Sequence, residues 1–271
     1  MTAGSDARLA EALVDARRAQ ERHARGGPRF EGLDSRDVAT PRDAPAAYAV
    51  QHAVAEELGW FASRRPSAWK VGAPTRKAMP EATPLPPAGV VASGATLTAD
   101  RFTSIGIEGE LAFRLRAAPR LAAARSIADA AASEAIDEAI GELVVTIEIV
   151  APRFRDLAVM PPLLRLADQG VHGALVVGTG IVWSRPIDWP RQDATVRRDG
   201  VVVAETQGGH PLGDLRYLVG WLAHHAASRG HPLAAGDLVT AGTWTGLVPA
   251  RAGEVVAVEF PGIGEASVTL A

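Results

Sequence analysis

Cysteine is absent from the 271-residue chain. That excludes disulfides, thiolate zinc sites and a cysteine nucleophile. Asparagine is absent too, and lysine nearly so: among 28 Lys plus Arg, only Lys70 and Lys77 are lysines. Arg is effectively always charged, whereas a desolvated Lys can give up its proton. A lysine kept in a chain that otherwise uses Arg therefore marks a position to examine. No apolar run is long enough to span a bilayer, and Met1 to Arg25 lacks the apolar stretch of a secretory signal. The net charge of −3 gives no electrostatic reason to expect nucleic acid or a membrane as partner. A soluble cytoplasmic protein is the expectation. Phosphate-loop, dinucleotide-fingerprint, H-E-x-x-H and G-x-S-x-G motifs are all missing.

What remains is an ordinary globular composition, 47% hydrophobic and 22% charged, long enough to bury a substantial core. Residues 6–24 predict an amphipathic helix with Leu9, Ala12, Leu13 and Ala16 on one stripe. Asp43 is placed to cap a second helix, with Pro45 in its first turn and Gly59 at its end. Tyr48 and Gln51 on this helix read as surface residues. Residues 67–72 predict a short strand. The proline-rich 80–89 stretch predicts a loop, with a static connector as the first reading and a lid as the second. Strands are expected over 105–116 and 143–150, with a loop over 117–125 and a short helix over 133–140 between them. A strand over 173–182 reads as buried on both faces. Asp199-Gly200 marks a hairpin between 194–198 and 201–205. Residues 212–229 predict a helix, on which His224 and His225 read as solvent-facing. Strands follow over 237–241, 254–260 and 266–270. Many strands, few helices and no regular βαβ alternation predict an α+β fold on mixed or largely antiparallel sheets. The division expected is an N-terminal helical segment, 1–65, packed on a catalytic domain, 66–271.

The chemistry concentrates on one strand. With period two, Ile105, Ile107, Leu111, Phe113 and Leu115 share a face, and Glu108 and Glu110 share the other with Ala112 and Arg114. Cα atoms two residues apart in a strand are separated by about 6.5–7 Å. Two carboxylates that close repel unless a cation or proton lies between them. Taken alone, a solvated strand face explains them. Glu148 on the next strand, flanked by Ile147 and Ile149, is a third carboxylate. Three strand carboxylates suit a hard cation such as Mg²⁺ or Mn²⁺. Lys70 is placed to stabilise or protonate an enolate. His172 and His210, in glycine-flanked turns, are the better histidine candidates.

These motifs together resemble the fumarylacetoacetate hydrolase superfamily, in its branch of 2-oxopent-4-enoate hydratases and 4-oxalocrotonate decarboxylases. The resemblance is carried by Tyr48-Ala49-Val50-Gln51, Trp69-Lys70-Val71-Gly72, Ile107-Glu108-Gly109-Glu110-Leu111-Ala112-Phe113 and Ile147-Glu148-Ile149-Val150. Gly209-His210-Pro211-Leu212, Trp221-Leu222-Ala223, Ala235-Gly236-Asp237 and Gly242-Thr243-Trp244-Thr245-Gly246 extend it. It implies a mixed β-roll with flanking helices and a Mg²⁺ or Mn²⁺ ion on Glu108, Glu110 and Glu148. It also implies Lys70 as a catalytic group, a small 2-oxo acid substrate chelating the ion, and a homo-oligomer. The implied reaction is addition of water to 2-hydroxypenta-2,4-dienoate. The alternatives are 4-oxalocrotonate-type decarboxylation, acylpyruvate C–C hydrolysis, or a non-catalytic subunit paired with a decarboxylase. The chain departs from the family pattern at Ala73-Pro74-Thr75, at Ala151-Pro152-Arg153 and at Asp168-Gln169-Gly170-Val171-His172-Gly173. The first and last of these stretches make Thr75 and Gln169 expected substrate contacts, with Thr243 and Trp244 from the glycine-rich motif. His172 has two readings, a catalytic group replacing a lost polar one or a satisfied turn residue.

Overall fold

The computed structural model describes residues 3–120, 134–184 and 187–271. Helix α1 spans Ala3–His23 and α2 spans Ala44–Glu57. The Asp43 carboxylate accepts from the Ala46 N–H at 2.9 Å, satisfying a donor that the first turn leaves open. Gly59 ends the segment at φ +64°. The stripes of the two helices meet through Leu9, Leu13, Val14, Val50 and Val54. The same cluster takes in Phe154 and Leu164, the latter on the short helix α4 at Pro162–Ala167. Each such side chain contributes about 1.5–3 kcal/mol on burial.

Among the described residues the strands form two sheets. The larger runs β2 (Glu81–Pro84), β1 (Ala68–Gly72), β10 (Leu238–Thr243), β5 (Gly106–Leu115), β6 (Ile140–Val150), β7 (His172–Val182) and β3 (Val90–Ala92), with β11 (Val248–Pro249) also on β5. The smaller runs β4 (Ala95–Leu97), β13 (Gly264–Leu270), β12 (Val255–Phe260), β8 (Ala194–Arg198) and β9 (Val201–Thr206). Pairing is mixed: β1–β10, β3–β7 and β4–β13 are parallel and the rest antiparallel. Helix α3 (Glu134–Ala139) leads into β6, and α5 (Arg216–Ser228) precedes β10. The α+β architecture with mixed sheets is the one the pattern of elements predicts.

The period-two alternation on β5 and β6 sets the two faces. Ile107, Leu111, Phe113, Leu143, Val145, Ile147 and Ile149 enter one core with Val256, Val258, Phe260 and Val268 of the smaller sheet. The opposite face carries the carboxylates. Glu108 lies directly across from Glu148, Glu110 from Thr146, Ala112 from Val144 and Arg114 from Glu142.

Four expectations are corrected. Residues 80–89 hold strand β2 and a 3-10 turn at Pro87–Gly89. Proline is tolerated there because β2 is an edge strand, which needs donors on one side only. β7 is buried only in its first half, and Val182 is 71% exposed; its neighbour β3 pairs with it only over Leu175–Val177. The helix expected from 212 starts at Arg216, because Gly213 takes φ +67° and Asp214 accepts the Arg216 N–H in a local turn. Tyr48, Gln51 and His225 are not surface residues. Tyr48 and Gln51 are buried, and the His225 ring stacks on Trp221 at 4.6 Å and lies 4.8 Å from the Tyr48 ring. Of the loop expected over 117–125, residues 121–125 lie outside the described residues, as does residue 133 of the following helix.

Candidate metal centre

Glu108 and Glu110 leave β5 on one face because they are two residues apart, and the β5–β6 register sets Glu148 beside them. One carboxylate oxygen from each lies within 4.8 Å of the others. Two unit charges at that spacing repel by about 3–4 kcal/mol at an effective dielectric near 20. The electrostatics record this strain. Burial pushes the Glu108 carboxyl up to about 7, with Lys70 pulling down and Glu148 pushing up. Burial, then Glu148 and Glu108, holds Glu110 well above the usual carboxylate range. Burial also opposes the charge on Glu148, but Lys70 and His172 outweigh it and keep that carboxyl below its ordinary value.

Lys70 stands on β1, and its Nζ donates to Glu148 Oε1 at 2.8 Å and to the Gly170 carbonyl at 3.1 Å. Burial disfavours its charge, yet the three carboxylates hold its pKa above the ordinary lysine value. With the carboxylates uncompensated it is an ammonium, not a free amine. His172 is fully buried at the start of β7 with Nδ1 3.2 Å from Glu148 Oε1. Burial lowers its pKa despite that partner. The neutral tautomer with its proton on Nδ1 satisfies Glu148 and leaves Nε2 a bare acceptor, which has no partner among the described residues.

The donor set fits a divalent cation. It consists of oxygen ligands only, and Glu110 Oε1 is buried without a hydrogen-bond partner among the described residues. The other Glu110 oxygen accepts from the Thr240 hydroxyl, which fixes the carboxylate. Thr146 supports the same residue, with its hydroxyl 3.3 Å from Thr240 Oγ1 and 3.5 Å from the Glu110 carbonyl.

The structure brings Glu108, Glu110, Glu148, Lys70 and His172 together. Thr243 lies across from Glu110 in the strand register, its hydroxyl turned to the Gly246 carbonyl. Gln169 is buried, and its amide donates to the Gln51 carbonyl at 3.1 Å; it adjoins Gly170, whose carbonyl Lys70 binds. Thr75 is exposed, and its hydroxyl accepts from the Ala78 N–H. Trp244 packs in the inter-sheet core against Trp189, His210 and Phe260, its indole N–H donated to the Gln192 carbonyl. His210 belongs to that aromatic group, 5.0 Å from Trp244 between ring centres. Thr240, Thr146 and Gln51 were not singled out as site residues by the sequence. The alternation of β6 gave a signal for Thr146, which lies on the Glu148 face. Gln51 had a signal in the Tyr48-Ala49-Val50-Gln51 motif, whereas Thr240 had none, because a single polar residue in an apolar element carries no period.

A carboxylate triad with two buried members and one half-buried, on neighbouring strands of a curled mixed sheet with a lysine bound to one of them, defines an α+β protein with a candidate hard-cation centre. The model of the fumarylacetoacetate (FAA) hydrolase C-terminal family matches residues 50–271, and the chain belongs to that family. A 2-keto-4-pentenoate hydratase of Burkholderia vietnamiensis is 31% identical over 126 residues, covering 46% of this chain and 48% of the relative. One of Paraburkholderia phymatum is 30% identical over 118 residues, 44% of this chain and 45% of the relative. The chain thus spans about half the length of the curated relatives it matches. Among solved structures, 4-oxalocrotonate decarboxylase from Pseudomonas putida G7, complexed with magnesium and adipate, shares the fold at TM-score 0.78. It is 19% identical, with 100% of this chain and 99% of that one covered. Among the described residues, no helix is long and apolar enough to cross a membrane.

Proposed function

We propose that this chain is a divalent-metal-dependent lyase for a small 2-oxo acid, and that its reaction is addition of water to 2-hydroxypenta-2,4-dienoate. The observation that carries the reading is the convergence of Glu108, Glu110 and Glu148 within 4.8 Å, with Lys70 and His172 both on Glu148. The hydratase names of the curated relatives support the reaction. Glu108, Glu110 and Glu148 would hold Mg²⁺ or Mn²⁺, which would supply positive charge for the carboxylate and 2-oxo oxygens of the substrate.

The chain's own residues then divide the work. Glu148 orients Lys70, whose Nζ lies 2.8 Å from both carboxylate oxygens, and holds His172 through Oε1. Lys70 has spent two of its three N–H donors, on Glu148 and Gly170. The third is available to place a proton on substrate carbon or to stabilise charge developing on oxygen. His172 keeps its proton on Nδ1, which fixes the Glu148 carboxylate. Gln169 holds the Gly170 turn through Gln51, and Thr243 borders the cluster. The working assembly is a homo-oligomer.

Decarboxylation of a vinylogous 2-oxo diacid is the second reading, favoured by the full-length fold shared with 4-oxalocrotonate decarboxylase. Ultraviolet loss of the dienol, with and without Mg²⁺, tests the first reading, and carbon dioxide release from a 2-oxo-enedioate tests the second. Glu108→Ala and Glu148→Ala are each expected to weaken Mg²⁺ or Mn²⁺ binding by at least about a hundredfold in calorimetry. Glu142→Gln, on the same sheet face but paired with Arg114, leaves it unchanged. Unaltered affinity in the first two variants would sink the assignment.

A further inference from the structure

The stripe of α1 that starts with Leu9, Leu13 and Ala16 does not end apolar. Its next positions are Arg17 and Gln20, and the buried face of the helix carries them inward. Together with Arg101, Phe102 and Arg153 they line a cavity of about 80 Å³. That exceeds the roughly 10–15 Å³ one water needs. Glu21 and the backbone at Gly89 and Gly173 complete the polar part of its wall.

Arg153 is spoken for. Its guanidinium donates to the Asp168 carboxylate, the Asp168 carbonyl and the His172 carbonyl. Arg17 is different. Its guanidinium carbon stacks 4.7 Å over the Trp60 ring, while Nε and Nη2 are both buried and have no hydrogen-bond partner among the described residues. Nε and Nη2 are the two parallel donors on one edge of the guanidinium plane, the edge that matches the two oxygens of an oxyanion. A buried cation with a whole donor edge unspent is costly unless something fills it. Burial and the neighbouring Arg153 both disfavour its charge, and Asp168 and Glu21 offset this only in part.

We propose that the Arg17 edge is a binding site for a small oxyanion, a carboxylate or a phosphate, seated in this cavity and separate from the Glu108–Glu110–Glu148 cluster. The cavity has room for one such group. It lies behind His172: a Cβ built on Gly89, one of its lining residues, would come 3.4 Å from His172 Nε2. Arg153 ties the cavity wall to the His172 carbonyl. An anion held here would therefore bear on the residue that orients Glu148.

The test uses thermal unfolding of the full chain, freed of metal by chelator, at constant ionic strength. Inorganic phosphate, acetate and succinate are titrated separately. An anion at about a hundred times its Kd is expected to raise the wild-type Tm by about 5–10 °C. Arg17→Met is expected to abolish the rise. Arg17→Lys keeps a charge without the fork and is expected to bind at least about tenfold more weakly. An Arg17-dependent rise with acetate or succinate assigns the anion to the acid group of an organic molecule, and one with phosphate alone assigns it to free phosphate; either supports the site. Equal rises in wild type and Arg17→Met, or none in wild type, overturn it. Neither result depends on metal or turnover, so failure here leaves the lyase reading standing.

Discussion

Lys70 Nζ donates to Glu148 Oε1 at 2.8 Å although their strands, β1 and β6, are separated in the sheet by β10 and β5. In a flat sheet three strand spacings would part them by about 14 Å. The curl of the sheet closes that gap, so the contact depends on the roll itself. Replacing Lys70 by Met leaves Glu148 buried beside two other carboxylates with one cation fewer. Removing one partner of a buried pair costs about 3–5 kcal/mol. We expect Lys70→Met to lower unfolding free energy by that order in chelator, and Mg²⁺ to restore part of it, measured by urea denaturation in both conditions. Equal stability of variant and wild type in chelator would contradict the account.

The second buried pair clamps the turn that carries Gly170. Asp168 accepts from Arg153 Nε at 2.5 Å and from the Arg153 N–H at 2.9 Å, and both residues are fully buried. Asp168→Ala strands the Arg153 guanidinium in the interior. The expected loss is about 3–5 kcal/mol, read as a lower midpoint in guanidinium unfolding. A loss under about 1 kcal/mol would show that water reaches the site.

Much of this was legible in the sequence, and the reasons differ by element. The faces of β5 and β6 follow from alternation alone, so Glu108, Glu110 and Glu148 could be placed on one side before any fold was known. The α2 start followed from Asp43 and Pro45, and the hairpin from Asp199-Gly200, where both residues take positive φ. The register that sets Glu108 across from Glu148 was not legible, because sheet pairing is a long-range choice. Tyr48 and Gln51 misled because they lie on an amphipathic helix covered on more than one side. Gln51 spends its amide on Thr83 and the Leu166 carbonyl, partners 32 and 115 residues away. Trp244 sits in a motif that resembles the family's, yet its ring belongs to the core.

Gly109 separates the two β5 carboxylates for a steric reason. A Cβ there would come 2.9 Å from Val258 Cγ1 and 3.0 Å from Thr245 Cγ2. Its own N–H is held by the Thr245 hydroxyl at 2.9 Å. Gly109→Ala forces β5 away from the smaller sheet and is expected to cost about 1–3 kcal/mol. Because the strand carries Glu108 and Glu110 on either side, metal affinity should fall as well. Calorimetric titration with Mn²⁺ alongside thermal unfolding checks both, and an alanine variant with wild-type Tm would remove the steric explanation.

His225 provides the pH prediction, away from the carboxylate cluster. Burial between the Trp221 and Tyr48 rings, then the nearby Arg229 charge, lowers its pKa to about 4. In the unfolded chain it titrates near 6.5. Between these values the unfolded state takes up a proton that the folded state declines. Stability therefore falls as pH drops through about 6.5, and the loss levels off below about 4. The full shift corresponds to about 3 kcal/mol, and partial exposure of the ring reduces the expectation to about 1–2 kcal/mol. His225→Phe keeps an aromatic ring in the stack and removes the titration. Guanidinium unfolding of both proteins at about pH 7.5 and about pH 4.5 should show the wild type losing about 1–2 kcal/mol more than the variant over that interval. If both lose the same amount, the depressed histidine is not what couples this helix to pH.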